Sequence, residues 1–316
     1  MSYSLGFDGG GSKTACAVLD AEGGVAGEGT GGPSNPLRCG YEAAFHSLSD
    51  AAAGALKAAG IAPGDITAVC AGLAGAGRRS VVERTLQFLA QEFPKAVAHV
   101  TPDYEVALEA AAGAGPGVVL IAGTGSVAFG RNGRGETAHA GGYGPWLGDE
   151  GSAFDMGRRG VAAASRTRDL AAPPTVLTEK ILRALNCPDW DELEERIAAN
   201  PDAIFPRLFP VVAAAADGED DAAKEIVFTA AIGLGNLAMM VVRRLDLKSQ
   251  TFPLAKCGGV FGQSRMLDTL LDSVLASGAL HAKISRLHVS PAVGAARVAI
   301  RLSKTPGQGV SSVPTK

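Results

Sequence analysis

Two aspartates in this chain follow apolar, strand-like runs and stand just before a turn or a helix. Asp8 lies in Leu5-Gly6-Phe7-Asp8-Gly9-Gly10-Gly11-Ser12-Lys13-Thr14, and Asp103 lies in Thr101-Pro102-Asp103-Tyr104-Glu105. A carboxylate so placed can accept a proton from a reacting hydroxyl or face a hard cation. The glycines after Asp8 let an anion approach main-chain N–H groups closely, so Gly10, Gly11, Ser12 and Lys13 read as a turn that holds phosphate. The G-x-x-x-x-G-K-[ST] loop is not met, because Ser12 rather than glycine precedes Lys13 and "ACAVLD" reads as a strand rather than a helix. The turn is therefore a hairpin between two strands, and a glycine-rich hairpin that binds nothing is the plain alternative. Beside phosphates, the charge of Asp8 is favourable only with a magnesium ion or its waters, which gives Asp8 an indirect role at the metal; otherwise it closes its own turn. Asp103 is a candidate acceptor for a hydroxyl proton, or a helix cap.

The segment "GVVLIAGTGSVAFGRNGRGETAHAGG" repeats the opening plan of apolar strand, Gly/Thr/Ser turn, strand, hairpin, strand. An internal duplication of this kind predicts two similar domains, each presenting one turn. Thr124, Gly125 and Ser126 would then hold phosphate from the second side. Around these turns, apolar runs alternate with helical patterns such as Phe45, Leu48, Ala52 and Leu56, which points to an α/β fold. A long core helix is expected from about Asp220 to Leu245, and a final helix from Pro291 with Ser290 as its cap. The glycine-rich Gly113–Gly117 marks a boundary, with domains over residues 1–112 and 113–290, the first completed by the helix at 291–304. Residues 305–316 read as a disordered tail.

Composition narrows the function. The 316 residues suffice for two domains of roughly 100–200 residues. A net charge of −3, from 29 basic and 32 acidic residues mixed along the chain, provides no basic face for nucleic acid or a membrane surface. Five scattered cysteines without C-x-x-C pairs, and no leader-like N-terminus, suggest reduced thiols in a cytoplasm. A sugar substrate would need polar groups at fixed positions. Asn35 in "GPSNPL" and Asp149 in "LGDEGSAF" meet that need, with a turn former and a helix-start acid as the respective alternatives. Gly258 and Gly259 after "LAKC" would let adenine or ribose lie against the backbone, unless they form a simple turn.

"DGGGSKT", "TPDYEVA", "IAGTGSVA", "GGYGPWLGDEGSAF" and "CGGVF", in this order over nearly the whole chain, resemble the N-acetylglucosamine kinase group of the actin-like ATPase superfamily, within the BadF/BadG/BcrA/BcrD-type ATPases. The resemblance implies two duplicated ribonuclease H-like α/β domains with a cleft where ATP, Mg2+ and an amino sugar meet, and a possible homodimer. It makes Asp103 the general base, and it places Asn35, Asp149, Gly142, Tyr143 and Gly144 around the sugar. Tyr143 stands where some relatives carry tryptophan. The implied reaction is phosphorylation of N-acetylglucosamine to its 6-phosphate, with glucosamine as the nearest rival. The reductase activators of the same broad family would need cysteines for an iron–sulfur cluster, and no cysteine lies in "IAGTGSVAFG" or "GGYGPWLGDEG".

Overall fold

A computed structural model describes residues 2–304; the expected disordered tail at 305–316 lies outside the described residues. In chain order the first elements are β1 (Tyr3–Gly9), β2 (Thr14–Leu19), β3 (Val25–Gly31), α1 (Pro36–Cys39), α2 (Tyr41–Ala59), β4 (Ile66–Leu73), α3 (Arg79–Glu92), β5 (Val97–Pro102) and α4 (Asp103–Ala112). They are followed by β6 (Gly117–Ala122), β7 (Ser126–Arg131), β8 (Thr137–Gly141), α5 (Ala153–Arg168), α6 (Leu177–Leu185), α7 (Trp190–Ala199), α8 (Pro201–Asp217) and α9 (Asp221–Arg244). The last described elements are β9 (Phe252–Cys257), α10 (Arg265–Gly278), β10 (Ala282–Arg286) and α11 (Pro291–Ser303). It divides into two compact units at Gly115/Pro116, inside the glycine-rich 113–117 stretch, and again at Arg286/Leu287.

Each unit holds one five-stranded sheet. The orders are β3-β2-β1-β4-β5 in the first and β10-β9-β6-β7-β8 in the second, which is the same topology read from opposite edges. In both, a hairpin leads into a third antiparallel strand, and the first strand also pairs in parallel with a later one (β1 with β4, β6 with β9). The duplication seen in the repeated motif is thus a duplication of strand order.

In the first unit, the glycines of β3 explain how α2 is seated. Cβ atoms added at Gly27, Gly29 and Gly31 would lie 2.3, 2.1 and 2.1 Å from the carbonyl oxygens of Ala55, Ala51 and Ser47. Alternate strand positions thus meet every fourth helix position, backbone against backbone. That small-residue stripe sits beside the larger apolar residues Leu48 and Leu56, which enter the core with Leu5, Phe7, Val69 and Leu89. The opposite face is closed by α11, whose Ala292, Val293 and Ala296 pack on Ala17 and Leu19, and whose Ala295 and Ala299 pack on Ala68, Cys70 and Val106. Ser290 caps α11 by accepting from the Ala292 amide at 3.3 Å.

The second unit has a larger helical layer. By length and composition α9 could cross a membrane, but most of that stretch is buried inside the unit, which makes it a core helix. Asp217, at the end of α8, accepts from the Ser264 hydroxyl and from the Arg265 and Met266 amides at 2.9–3.0 Å, fixing the start of α10.

Candidate functional site

In the first unit the parallel strands β1, β4 and β5 finish level, with Gly9 opposite Leu73 and Leu73 opposite Pro102. Asp8 is the penultimate residue of β1, and Asp103 is the first residue of α4, so both carboxylates emerge at the carboxyl ends of parallel strands, where α/β sheets bind ligands. Both are partly buried. Burial, and then the like charge of Asp103, push Asp8 up to about 7 against the opposing pull of Lys13. Burial also raises Asp103 to about 6, although its Oδ1 accepts from the Tyr104 amide at 3.0 Å. Two acids that resist ionising side by side suit a divalent cation.

The β1–β2 turn is closed by the Gly10 amide donating to Lys13 O at 3.1 Å. The Ser34 amide donates to Gly10 O at 3.0 Å, and the Thr14 hydroxyl lies 2.7 Å from both Gly32 O and Ser34 Oγ. These bonds bring the loop carrying Asn35 against the turn. Asn35 is the N-cap of α1: its Oδ1 accepts from the Leu37 amide at 3.1 Å, with Pro36 in the first helical position. Its carboxamide oxygen is committed to the helix, while its Nδ2 has no protein partner among the described residues.

In the second unit, the β6–β7 turn is bolted to the segment that follows β8. The Ser126 amide donates to Asp149 Oδ1 at 3.2 Å, the Ser126 hydroxyl donates to Glu150 O at 2.8 Å, and the Ala153 amide donates to Gly123 O at 2.9 Å. Both donors of Ser126 are thus bonded within the chain, and Gly125 packs against the Asp149 carboxylate, where an added Cβ would lie 2.7 Å from Oδ2. Asp149 is 3% exposed and adopts φ +61°, a left-handed conformation that aspartate tolerates better than most residues. It is not the start of the helix. That role belongs to Ser152, whose Oγ accepts from the Asp155 amide at 3.1 Å, while Asp155 accepts from the Gly151 amide. The Ser-x-x-acid spacing of a helix start was legible three residues after Asp149.

Gly142 donates to Ser126 O at 2.9 Å, and Gly144, at φ +90°, has open space where a side chain would stand. Tyr143 is 63% exposed, its ring 6.4 Å from that of His139. Beyond it the sequence reading had passed over Trp146 and Leu147, which are 72% and 81% exposed; large apolar residues between glycines in "GPWLG" were the available signal. The two glycines after β9 differ in kind. Gly258 has φ +114° and would drive a Cβ to 2.2 Å from Ala122 O, so packing demands it, whereas Gly259 faces open space and can receive a ligand.

Residues 5–299 match the BadF/BadG/BcrA/BcrD ATPase family. The chain is 31% identical to the N-acetylmuramic acid/N-acetylglucosamine kinase of Clostridium acetobutylicum over 84% of its length and 88% of the relative's. It is 27% identical to the N-acetyl-D-glucosamine kinase of Dictyostelium discoideum over 95% of this chain and 98% of that one. A Chromobacterium violaceum crystal structure provisionally named N-acetylglucosamine kinase superposes with a TM-score of 0.78 at 24% identity, covering 95% of this chain and 99% of the other, and so shares the fold. Glycine turns at the strand ends of both sheets, an acid beside the first of them, and a family match over nearly the whole length agree, and the chain belongs to the BadF/BadG/BcrA/BcrD ATPase family.

Proposed function

We propose that this protein is an ATP-dependent sugar kinase that phosphorylates the 6-hydroxyl of N-acetylglucosamine. The observation that carries the reading is Asp103: a partly buried carboxylate at a strand end, raised to about 6, beside a glycine turn and a second acid. A base of that pKa is ionised at neutral pH yet retains proton affinity, as proton removal from a hydroxyl requires. The names of the Clostridium and Dictyostelium relatives support the substrate class.

In this reading Asp103 orients the 6-hydroxyl and takes its proton. In the first unit Gly10, Gly11, Ser12 and Lys13 form the turn read as a phosphate turn; in the second unit Thr124, Gly125 and Ser126 form the corresponding turn, and Gly258 and Gly259 follow the strand read as the nucleoside side. Asp8 faces the cation. Mg2+ keeps most of its waters and takes few protein ligands, so one or two carboxylates beside the phosphates would be enough to place it. Bound there, Mg2+ would neutralise charge on the phosphates. In the first unit Asn35 offers its Nδ2 to the sugar, and in the second unit Asp149 is the acid read as a sugar contact.

The deciding experiment is a panel of N-acetylglucosamine, glucosamine and N-acetylmuramic acid with MgATP, following ADP release and sugar phosphate together. Stoichiometric formation of N-acetylglucosamine 6-phosphate is expected. ADP release independent of any sugar would refute the reading.

A further inference from the structure

The turn that follows Asp8 carries a cation not used in the reaction above. Arg38, from α1, lies over Gly11: a Cβ added there would stand 3.6 Å from Arg38 Nη1 and 3.8 Å from its Cδ. The connection that brings it there is fixed at several points. The Arg38 amide donates to Asn35 O at 3.0 Å, Asn35 caps the helix, and the Ser34 amide is bonded to Gly10 O in the turn itself. Arg79, Arg159 and Arg196 spend their charge on the neighbouring Glu83, Asp155 and Glu192. Arg38 has no acidic partner among the described residues. A guanidinium that lies over a glycine turn without an acidic partner among the described residues can receive an anion there, and its planar fork matches the paired oxygens of a phosphoryl group.

The charges around the turn strengthen the case. Asp8 and Asp103 repel an incoming anion, and Lys13 is the other cation of the turn. We propose that Arg38 grips the terminal phosphoryl group of ATP and neutralises the charge that spreads over its oxygens during transfer. The proposal rests on the reading of this turn as the nucleotide-phosphate turn, but it does not depend on which sugar is the acceptor. The shared chemistry is recognition of an anion, and a sugar carboxylate is the other possible source.

Binding of ADP and of a non-hydrolysable ATP analogue, each with Mg2+, to wild type, Arg38→Ala and Arg38→Lys separates these cases. Arg38→Ala should weaken the ATP analogue at least tenfold and ADP by less than twofold, with Arg38→Lys intermediate and the melting temperatures of all three alike. Turnover of N-acetylglucosamine should fall in kcat with little change in the KM for sugar. Equal effects on both nucleotides, or none, would overturn the proposal. So would a loss confined to N-acetylmuramic acid, which would move Arg38 to the substrate carboxylate. If wild type binds nucleotide but phosphorylates no sugar, the kinase reading fails while the comparison of the two nucleotides still decides the role of Arg38.

Discussion

Asp103 and Asp8 carry opposite consequences for catalysis and stability. A base raised to about 6 works only when ionised, so kcat should climb with pH through about 6 and level off above it. Asp103→Asn should lower kcat by about 10²-fold or more and leave nucleotide affinity in place; near-normal turnover would remove it from the reaction. Stability runs the other way. Asp8 and Asp103 titrate higher folded than in an unfolded chain, where both would lie near the ordinary value of 3.8. The folded protein therefore holds more protons between about 4 and 7, and stability without ligands should fall as pH rises through that window, which urea titrations at stepped pH will show. The sequence offers Asp149 as a candidate sugar-binding acid but does not reveal its conformation, because a left-handed backbone and a bond to Ser126 depend on residues far along the chain. Asp149→Ala should thus do two things. It should cut kcat/KM for sugar by roughly 10- to 100-fold, and it should also cost about 1–3 kcal/mol of stability by orphaning the Ser126 amide. Intact sugar kinetics with a stability loss would leave Asp149 a purely structural residue.

At the scale of elements, legibility followed hydrophobic contrast. The strand Ile66–Leu73 is an almost continuously buried apolar run and the helix Tyr41–Ala59 buries one face, and the sequence pattern revealed both. The strand Ala282–Arg286 was missed because it is short and lies at the sheet edge: its alternation, Ala282 and Ile284 inward with Lys283 and Ser285 outward, spans only five residues with two apolar positions. The seating of α2 on β3 was equally hidden, since glycines announce turns more often than contacts. It is nonetheless testable. Gly29→Ala would thrust a methyl to 2.1 Å from Ala51 O and should cost about 1–3 kcal/mol in denaturant unfolding. Gly77→Ala, where the added carbon meets open space, should stay within about 0.5 kcal/mol. Equal effects at the two sites would mean that α2 can shift to make room.

Across the whole molecule, the second unit is an insertion within the first, since the chain returns at Leu287 and lays α11 on the face of the sheet it began. That return is held by the small apolar face of α11 and by Arg301, which binds both oxygens of the buried Glu109. A chain ending at Arg286 should keep a cooperative second unit, while amides of β1, β4 and β5 lose protection from hydrogen exchange. Full protection there would show that α11 is dispensable. The same connectivity sets an order in time on the ribosome. The first unit emerges first but cannot close, and its Ala17, Leu19, Ala68 and Cys70 face stays uncovered until the last helix is made. At the usual rates of synthesis this interval lasts on the order of ten to forty seconds. The unit translated first is therefore the last to finish folding, and it must spend the interval shielded by a chaperone or by its own transient collapse.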